Sequence, residues 1–180
     1  MSVPSTVSVT VEAIQSPTST ERLARLFDAH NDRLFRLARR LSPDREEARD
    51  LVQETFLRAA RHPAAVPEGS QPEEAWLVRT LVNLCRDRFR RLGVRSRERE
   101  RLAREAETSH PEEAAVARTV VRQALGRLSP RRRAVIVLHE LEGTPVREVA
   151  RLLGVTEVTV RWHLLAARRE LASLLKEDRR

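Results

Sequence analysis

Residues Val146–His163 read Val-Arg-Glu-Val-Ala-Arg-Leu-Leu-Gly-Val-Thr-Glu-Val-Thr-Val-Arg-Trp-His, and small and apolar residues fall where a helix-turn-helix needs them. Two helices that cross closely need a small residue at the crossing, and Ala150 fits. The turn between them needs a residue that tolerates positive φ, and Gly154 fits. Val149, Leu153, Val155, Val160 and Leu164 supply the apolar side that holds the second helix. Thr156 caps that helix and leaves its first turns free to enter the major groove of a DNA duplex. The outward positions are then Thr156, Glu157, Thr159, Arg161 and Trp162, with Arg168 and Arg169 extending a basic edge. Hydroxyl and guanidinium groups bond base edges or phosphate, and a carboxylate accepts from cytosine. The amides of a helix N-terminus favour phosphate. A helical hairpin that docks on protein, or on nothing, shares the same apolar pattern. Trp162 reads either way, because a tryptophan on a helix packs more often than it meets a base.

Working outward, the apolar spacing stays helical throughout. Val116, Val120, Val121, Ala124, Leu125 and Leu128 mark a helix before the motif. Ser129-Pro130 pairs an N-cap residue with proline at the first helical position and predicts another helix, running to Leu141 and ended by Gly143. In the first half, Leu23, Leu26, Phe27, His30, Leu34, Leu37, Ala38 and Leu41 make one stripe, stopped by Ser42-Pro43. Asp44 with Glu47 gives a capping-box-like start to a second helix. There Ala48, Leu51, Val52, Thr55, Phe56 and Ala59 share a face. The stretch His62–Pro72 holds three prolines and a glycine and reads as a loop. A third helix runs from about Glu73 to Leu92, with Leu77, Leu81 and Leu84 on one side and Val78, Val82, Cys85 and Phe89 on the adjoining side. So broad an arc predicts packing against two other helices. No segment reads as a core strand. The expected fold is all-α, two small helical bundles (21–92 and 114–176) joined by a flexible linker (93–113). Short tails at 1–20 and 177–180 flank them, the first of disordered composition, although Val7–Val11 could pair as a strand with a partner.

The 180 residues carry a formal net charge of +8 with a sequence pI of about 11.3. That excess suits a polyanionic partner, since basic side chains release condensed counterions from nucleic acid. From Arg86 to Arg104 there are nine arginines against three acids, either a solvated face or a segment that tracks a phosphate backbone. Lys176 is the lone lysine, a skew that a GC-rich genome explains as well as function does. Cys85 is the lone cysteine, so no internal disulfide forms and a reducing compartment is expected. No stretch has the length to span a bilayer and no secretory signal is visible, so the expected location is the cytoplasm. Enzymatic motifs are missing. His139-Glu140 lacks a second histidine four residues after the first, and there is neither a Gly-rich phosphate loop nor a serine elbow. The expectation is no catalytic residue, no metal, no cofactor and no small-molecule substrate.

Two segments in order carry a resemblance. Asp50-Leu51-Val52-Gln53-Glu54-Thr55-Phe56-Leu57-Arg58-Ala59, followed by Trp76-Leu77-Val78-Arg79-Thr80-Leu81-Val82-Asn83 with Asp87, resembles domain two of the extracytoplasmic-function (ECF) sigma factors. Ala124 through Pro130, Glu142-Gly143, Glu148-Val149-Ala150 and Thr159-Val160-Arg161 resemble their domain four. The resemblance covers about residues 21–176, linker excluded. It implies a chain that gives core RNA polymerase its promoter specificity. Asp50, Gln53, Glu54 and Arg58 would meet the clamp of the polymerase's largest subunit, and domain four the flap of the second-largest. Arg79, Asn83, Arg86 and Arg90 would engage the downstream promoter element as it melts, Asn83 holding an unstacked base, while Thr156, Glu157, Thr159, Arg161, Trp162 and Arg168 read the upstream element as duplex. An anti-sigma protein is a further implied partner. The chain departs from the family pattern in having no tyrosine and in Ala60, where an aromatic is common. Pro145 stands in place of a capping serine, so that Thr144 is expected to cap the first helix of the motif. An ordinary helix-turn-helix regulator would explain the second half and leave the first unassigned. A polymerase-binding adaptor would bind protein without promoter dependence.

Overall fold

The computed structural model describes residues 19–92 and 120–177, residue 122 excepted. Its described residues form helices and turns, with no strand among them. The expected flexible linker at 93–113 and the strand-like Val7–Val11 lie outside the described residues. In the first half, α1 spans Ser19–Leu41, α2 Arg45–Arg61 and α3 Ser70–Leu92, with a single 3₁₀ turn at Pro63–Ala65. In the second half, a helical stretch at 123–127 (α4) precedes α5, Pro130–Ile136, which widens into a π turn over Val137–Leu141. Then come α6, Val146–Leu153, and α7, Glu157–Glu177.

Local chemistry explains these boundaries. The Asp44 carboxylate accepts from the Glu47 amide at 2.8 Å, satisfying a donor that the first turn of α2 leaves without a partner. Helix α1 begins at Ser19, four residues before Leu23, the first residue of the apolar stripe. Arg22 on its first turns ties down the loop after α2 by donating to the carbonyls of Pro63, Val66 and Pro67. Ser129 holds the expected N-cap position with Pro130 in the first turn; its side chain makes no capping bond, and its carbonyl accepts from the Arg133 amide. One expected cap is corrected. Thr144 does not cap α6. Pro145 occupies the N-cap position, with its carbonyl accepting from Glu148 and Val149, while Thr144 is buried and bonded through its backbone to Leu138 and His139.

Leu34, Leu37, Leu51, Leu77 and Leu81 are sealed from solvent between α1, α2 and α3. Each contributes about 1.5–3 kcal/mol of burial. Val135, Val137, Leu138, Val149, Leu152 and Val160 do the same in the second half. The two bundles pack together through α3 against α5 and α6, so that one apolar cluster runs through both. This explains the breadth of the apolar arc on α3. The helix packs on α1 and α2 of its own bundle and on α5 and α6 of the second, and Cys85 lies where it meets Arg133 of α5. Phe27 and Phe89, counted in apolar stripes from the sequence, are half exposed. Phe27 leans on Phe56 with ring centroids 4.9 Å apart.

Polar groups cross the same junction. The Arg133 guanidinium of α5 is buried and donates to the carbonyl of Leu41, at the C-terminus of α1, and to those of Gly126 and Leu128. A helix C-terminus presents carbonyls without intrahelical partners and the negative end of its dipole, so a cation is well placed there. Glu74 of α3 sits between Arg33 of α1 and Arg151 of α6, and Arg151 also donates to the Gln71 carbonyl and pairs with Glu148. Arg40 reaches Glu142 at 3.2 Å.

Candidate nucleic-acid interface

The turn of the helix-turn-helix is held by backbone. Gly154 stands at φ +65, in the left-handed region, and the Val155 amide returns to the Ala150 carbonyl. A β-carbon raises the energy of that conformation, so glycine belongs there. The first turn of α7 is then capped by Thr156, whose hydroxyl accepts from the Thr159 amide at 3.2 Å. The Thr159 hydroxyl turns back to that of Thr156 at 2.9 Å. Thr159 is thus engaged within its own helix and half-buried, not at the outermost edge where the sequence pattern set it.

The helical phase of α7 follows from its buried side. Val160, Leu164 and Ala167 face the core. At about 100° per residue the opposite line carries Val158, Trp162, Leu165 and Arg169, with Arg161 on its flank. Val158 is 73% exposed, Trp162 57% and Leu165 49%. Val158 and Leu165 carry no hydrogen-bonding group, so they do not stand out in the sequence beside Thr156, Glu157 and Arg161. The phase of the helix, set by its three buried residues, would have found them. Glu157 pairs with Arg161 at 2.8 Å, Arg168 pairs with Glu140 of the π turn, and the Arg132 guanidinium lies 5.7 Å from the Trp162 ring centroid. Burial, then Arg131 and Arg132, holds His163 below the ordinary imidazole pKa.

On α3, Arg79, Asn83, Arg86 and Arg90 repeat at intervals of four, three and four, and so share one face. Arg86 and Arg90 approach Asp87 at 3.7 and 3.9 Å and are otherwise open, while Asn83 is half-buried. Arg79 lies at the other end, against the Gly154 turn. A β-carbon on that glycine would stand 2.8 Å from the Arg79 Nε. On α2, Asp50 faces Arg88 at 3.6 Å, and Glu54 reaches Arg58 and Arg61 at 3.4 and 3.9 Å. Gln53 lines an apolar groove of about 710 Å³ between α1 and α2, with Phe27, Phe35, Phe56 and Leu57. Cys85 lies beside Arg133, and burial pushes its thiol up to about 12. Among the described residues no helix is long and apolar enough to cross a membrane.

Residues 26–95 match the sigma-70 region 2 family and residues 118–171 the sigma-70 region 4 family. The chain belongs to the ECF RNA polymerase sigma factors. It is 37% identical over 159 residues to the ECF RNA polymerase sigma factor SigL of Mycobacterium tuberculosis, covering 84% of this chain and 88% of that one. It is 36% identical over 151 residues to SigM of the same species, covering 83% and 75%. Among solved structures, this sigma factor resembles CnrH in complex with the cytosolic domain of CnrY, with TM-score 0.59, 26% identity and coverage of 88% of this chain and 90% of that one. It also resembles the sigma factor RpoE in complex with the anti-sigma factor NepR from Bartonella quintana, with TM-score 0.53, 25% identity and coverage of 87% and 96%. The helix-turn-helix of this sigma factor lies within its region 4 match, and the α3 stripe within its region 2 match.

Proposed function

We propose that this sigma factor binds core RNA polymerase and directs promoter-specific initiation without catalysis of its own. Its second bundle reads the upstream (−35) element as duplex, and its first bundle recognises and melts the downstream (−10) element. The observation that carries this reading is the capped first turn of α7, which stands open opposite its buried face with Arg161 beside it. Helix N-terminal amides and guanidinium groups suit phosphate and base edges.

The division of labour follows the chemistry of the two stripes. Thr156, Glu157, Thr159, Arg161, Trp162 and Arg168 serve the upstream element. Arg79, Arg86 and Arg90 meet the separated strand through phosphate, and Asn83 offers an amide to a base drawn out of its stack, since polar edge contacts replace lost stacking. Asp50, Gln53, Glu54 and Arg58 face the clamp of the polymerase's largest subunit, with the adjoining apolar groove adding surface for a protein partner. The second bundle meets the flap of the second-largest subunit. An anti-sigma protein is a further partner, because the structural relatives named above were solved in complex with CnrY and NepR. The working compartment is the cytoplasm.

The test is run-off transcription by core polymerase on a genomic promoter library, with and without the chain. New start sites are expected, and unchanged start-site selection rejects the reading. For the sites, Arg161→Ala is expected to weaken upstream-element recognition, and Asn83→Ala to impair strand opening while leaving duplex binding intact. Equal losses of both activities in both variants would reject the division.

A further inference from the structure

Val158 is the most exposed large apolar side chain among the described residues. It stands on the second residue of α7, and Trp162 and Leu165 continue its line four and seven residues on. Cations border the line, with Arg161 beside it, Arg169 at its end, and Arg132 over the Trp162 ring. An apolar ridge edged by arginines suits an anionic surface that carries apolar groups of its own. The major groove is such a surface. Its base edges offer guanine N7 and O6, adenine N7 and N6, cytosine N4 and thymine O4, all of which need hydrogen-bond partners. A valine placed over any of these removes water and returns no bond, which is unfavourable. The one apolar group the groove presents is the C5-methyl of thymine.

We propose that Val158, flanked by Trp162 and Leu165, reads thymine methyl groups in the upstream element. This rests on the reading that α7 enters the major groove, and it adds what the element must contain. Arg161 and the helix N-terminus position the helix through polar contacts, which leaves Val158 to discriminate among base pairs by apolar contact. Because Val158 is exposed and outside the core, its replacement leaves the fold in place, and thermal unfolding of each variant checks that directly.

The experiment uses holoenzyme reconstituted from core polymerase and the full chain. Promoters randomised across the upstream region are selected for binding, and the recovered element is resynthesised with each thymine replaced singly by deoxyuridine, which removes the methyl and keeps the base pair. At one or more positions the exchange is expected to weaken holoenzyme binding about four-fold, the value of one buried methyl. Val158→Ala is expected to abolish that difference, and Val158→Thr, which keeps one methyl, to retain part of it. A selected element without thymine, or one indifferent to deoxyuridine at every position, overturns the proposal, as does an unchanged difference in Val158→Ala. A loss of affinity of Val158→Ala for core polymerase without DNA overturns it too, and marks the ridge as a protein contact. If selection enriches no upstream sequence, duplex reading itself fails, a result distinct from an enriched element that ignores the methyl.

Discussion

The outer stripes of α3 and α7 use similar materials in different settings. Both set arginines at helical intervals on a face turned from their own bundle core. The α7 stripe is open along its length, and its apolar residues are the most exposed in the second half. The α3 stripe is open at both ends and half-buried at Asn83, and at its N-terminal end the exposed Arg79 side chain lies against the turn of the helix-turn-helix. Packing of the two bundles makes the difference. In this arrangement one stripe stands clear and the other borders, at Arg79, the element that carries the first; on the proposed function, the exposed Arg79 side chain swings from the Gly154 turn to meet a DNA strand.

The largest expected effect comes from the residue that crosses the junction. Arg133→Ala removes a buried cation and leaves the carbonyls of Leu41, Gly126 and Leu128 without their donor. The expected loss of stability is about 1–3 kcal/mol for such unsatisfied groups. Arg133→Lys is expected to recover only part of it, because a single ammonium cannot reproduce the guanidinium fork. Denaturant unfolding measures the loss, and small-angle scattering should show a larger radius of gyration as the bundles part. A variant as stable and as compact as the parent would mean that apolar packing of α3 on α5 and α6 suffices, and the contrast between the stripes would not depend on this arginine.

Gly154→Ala bears on the same contact from the other side. Forcing an L-residue to φ +65 costs about 1–2 kcal/mol. The new methyl also displaces the Arg79 side chain, whose far end is free to swing and adds little to the cost. Gly154→Asn is expected to lose less than Gly154→Ala, since asparagine tolerates the left-handed region. Equal stability of Gly154→Ala and the parent would show that the turn can relax, and that its backbone does not fix α7 relative to α6.

These effects divide what the sequence could tell from what it could not. Helical phase, the Asp44–Glu47 cap and the Ala150–Gly154 turn are local, and each was legible because the chemistry that fixes it lies within a few residues. The docking of the bundles was not legible. Arg131, Arg132 and Arg133 are consecutive and identical in side chain. Only contact with the end of α1, some ninety residues earlier, selects Arg133 for burial and leaves its neighbours half-exposed. Thr144 failed as a cap because the helix starts one residue later than expected, with Pro145 at the N-cap, while the Thr144 backbone bonds to Leu138 and His139. The outer face of α7 was half legible: its polar residues stand out in the sequence, whereas Val158 and Leu165 emerge from the helical phase that Val160, Leu164 and Ala167 set.

The smallest expected effect is a pH slope behind the open stripe. His163 adjoins Trp162, with ring centroids 4.9 Å apart, and burial with Arg131 and Arg132 lowers its pKa from the usual 6.5. The folded chain therefore binds this proton less readily than the unfolded chain. Between the lowered value and 6.5 the unfolded state holds more protons, so stability rises with pH across that window. The contribution is complete above 6.5 and is lost as pH falls through the folded value. His163→Gln is expected to flatten this part of the stability profile, measured by denaturant unfolding at a series of pH values. Parallel profiles for parent and variant would mean that His163 accepts a proton without hindrance. The charge behind the α7 stripe would then vary over the ordinary imidazole range, whereas the lowered pKa moves that variation to more acid pH.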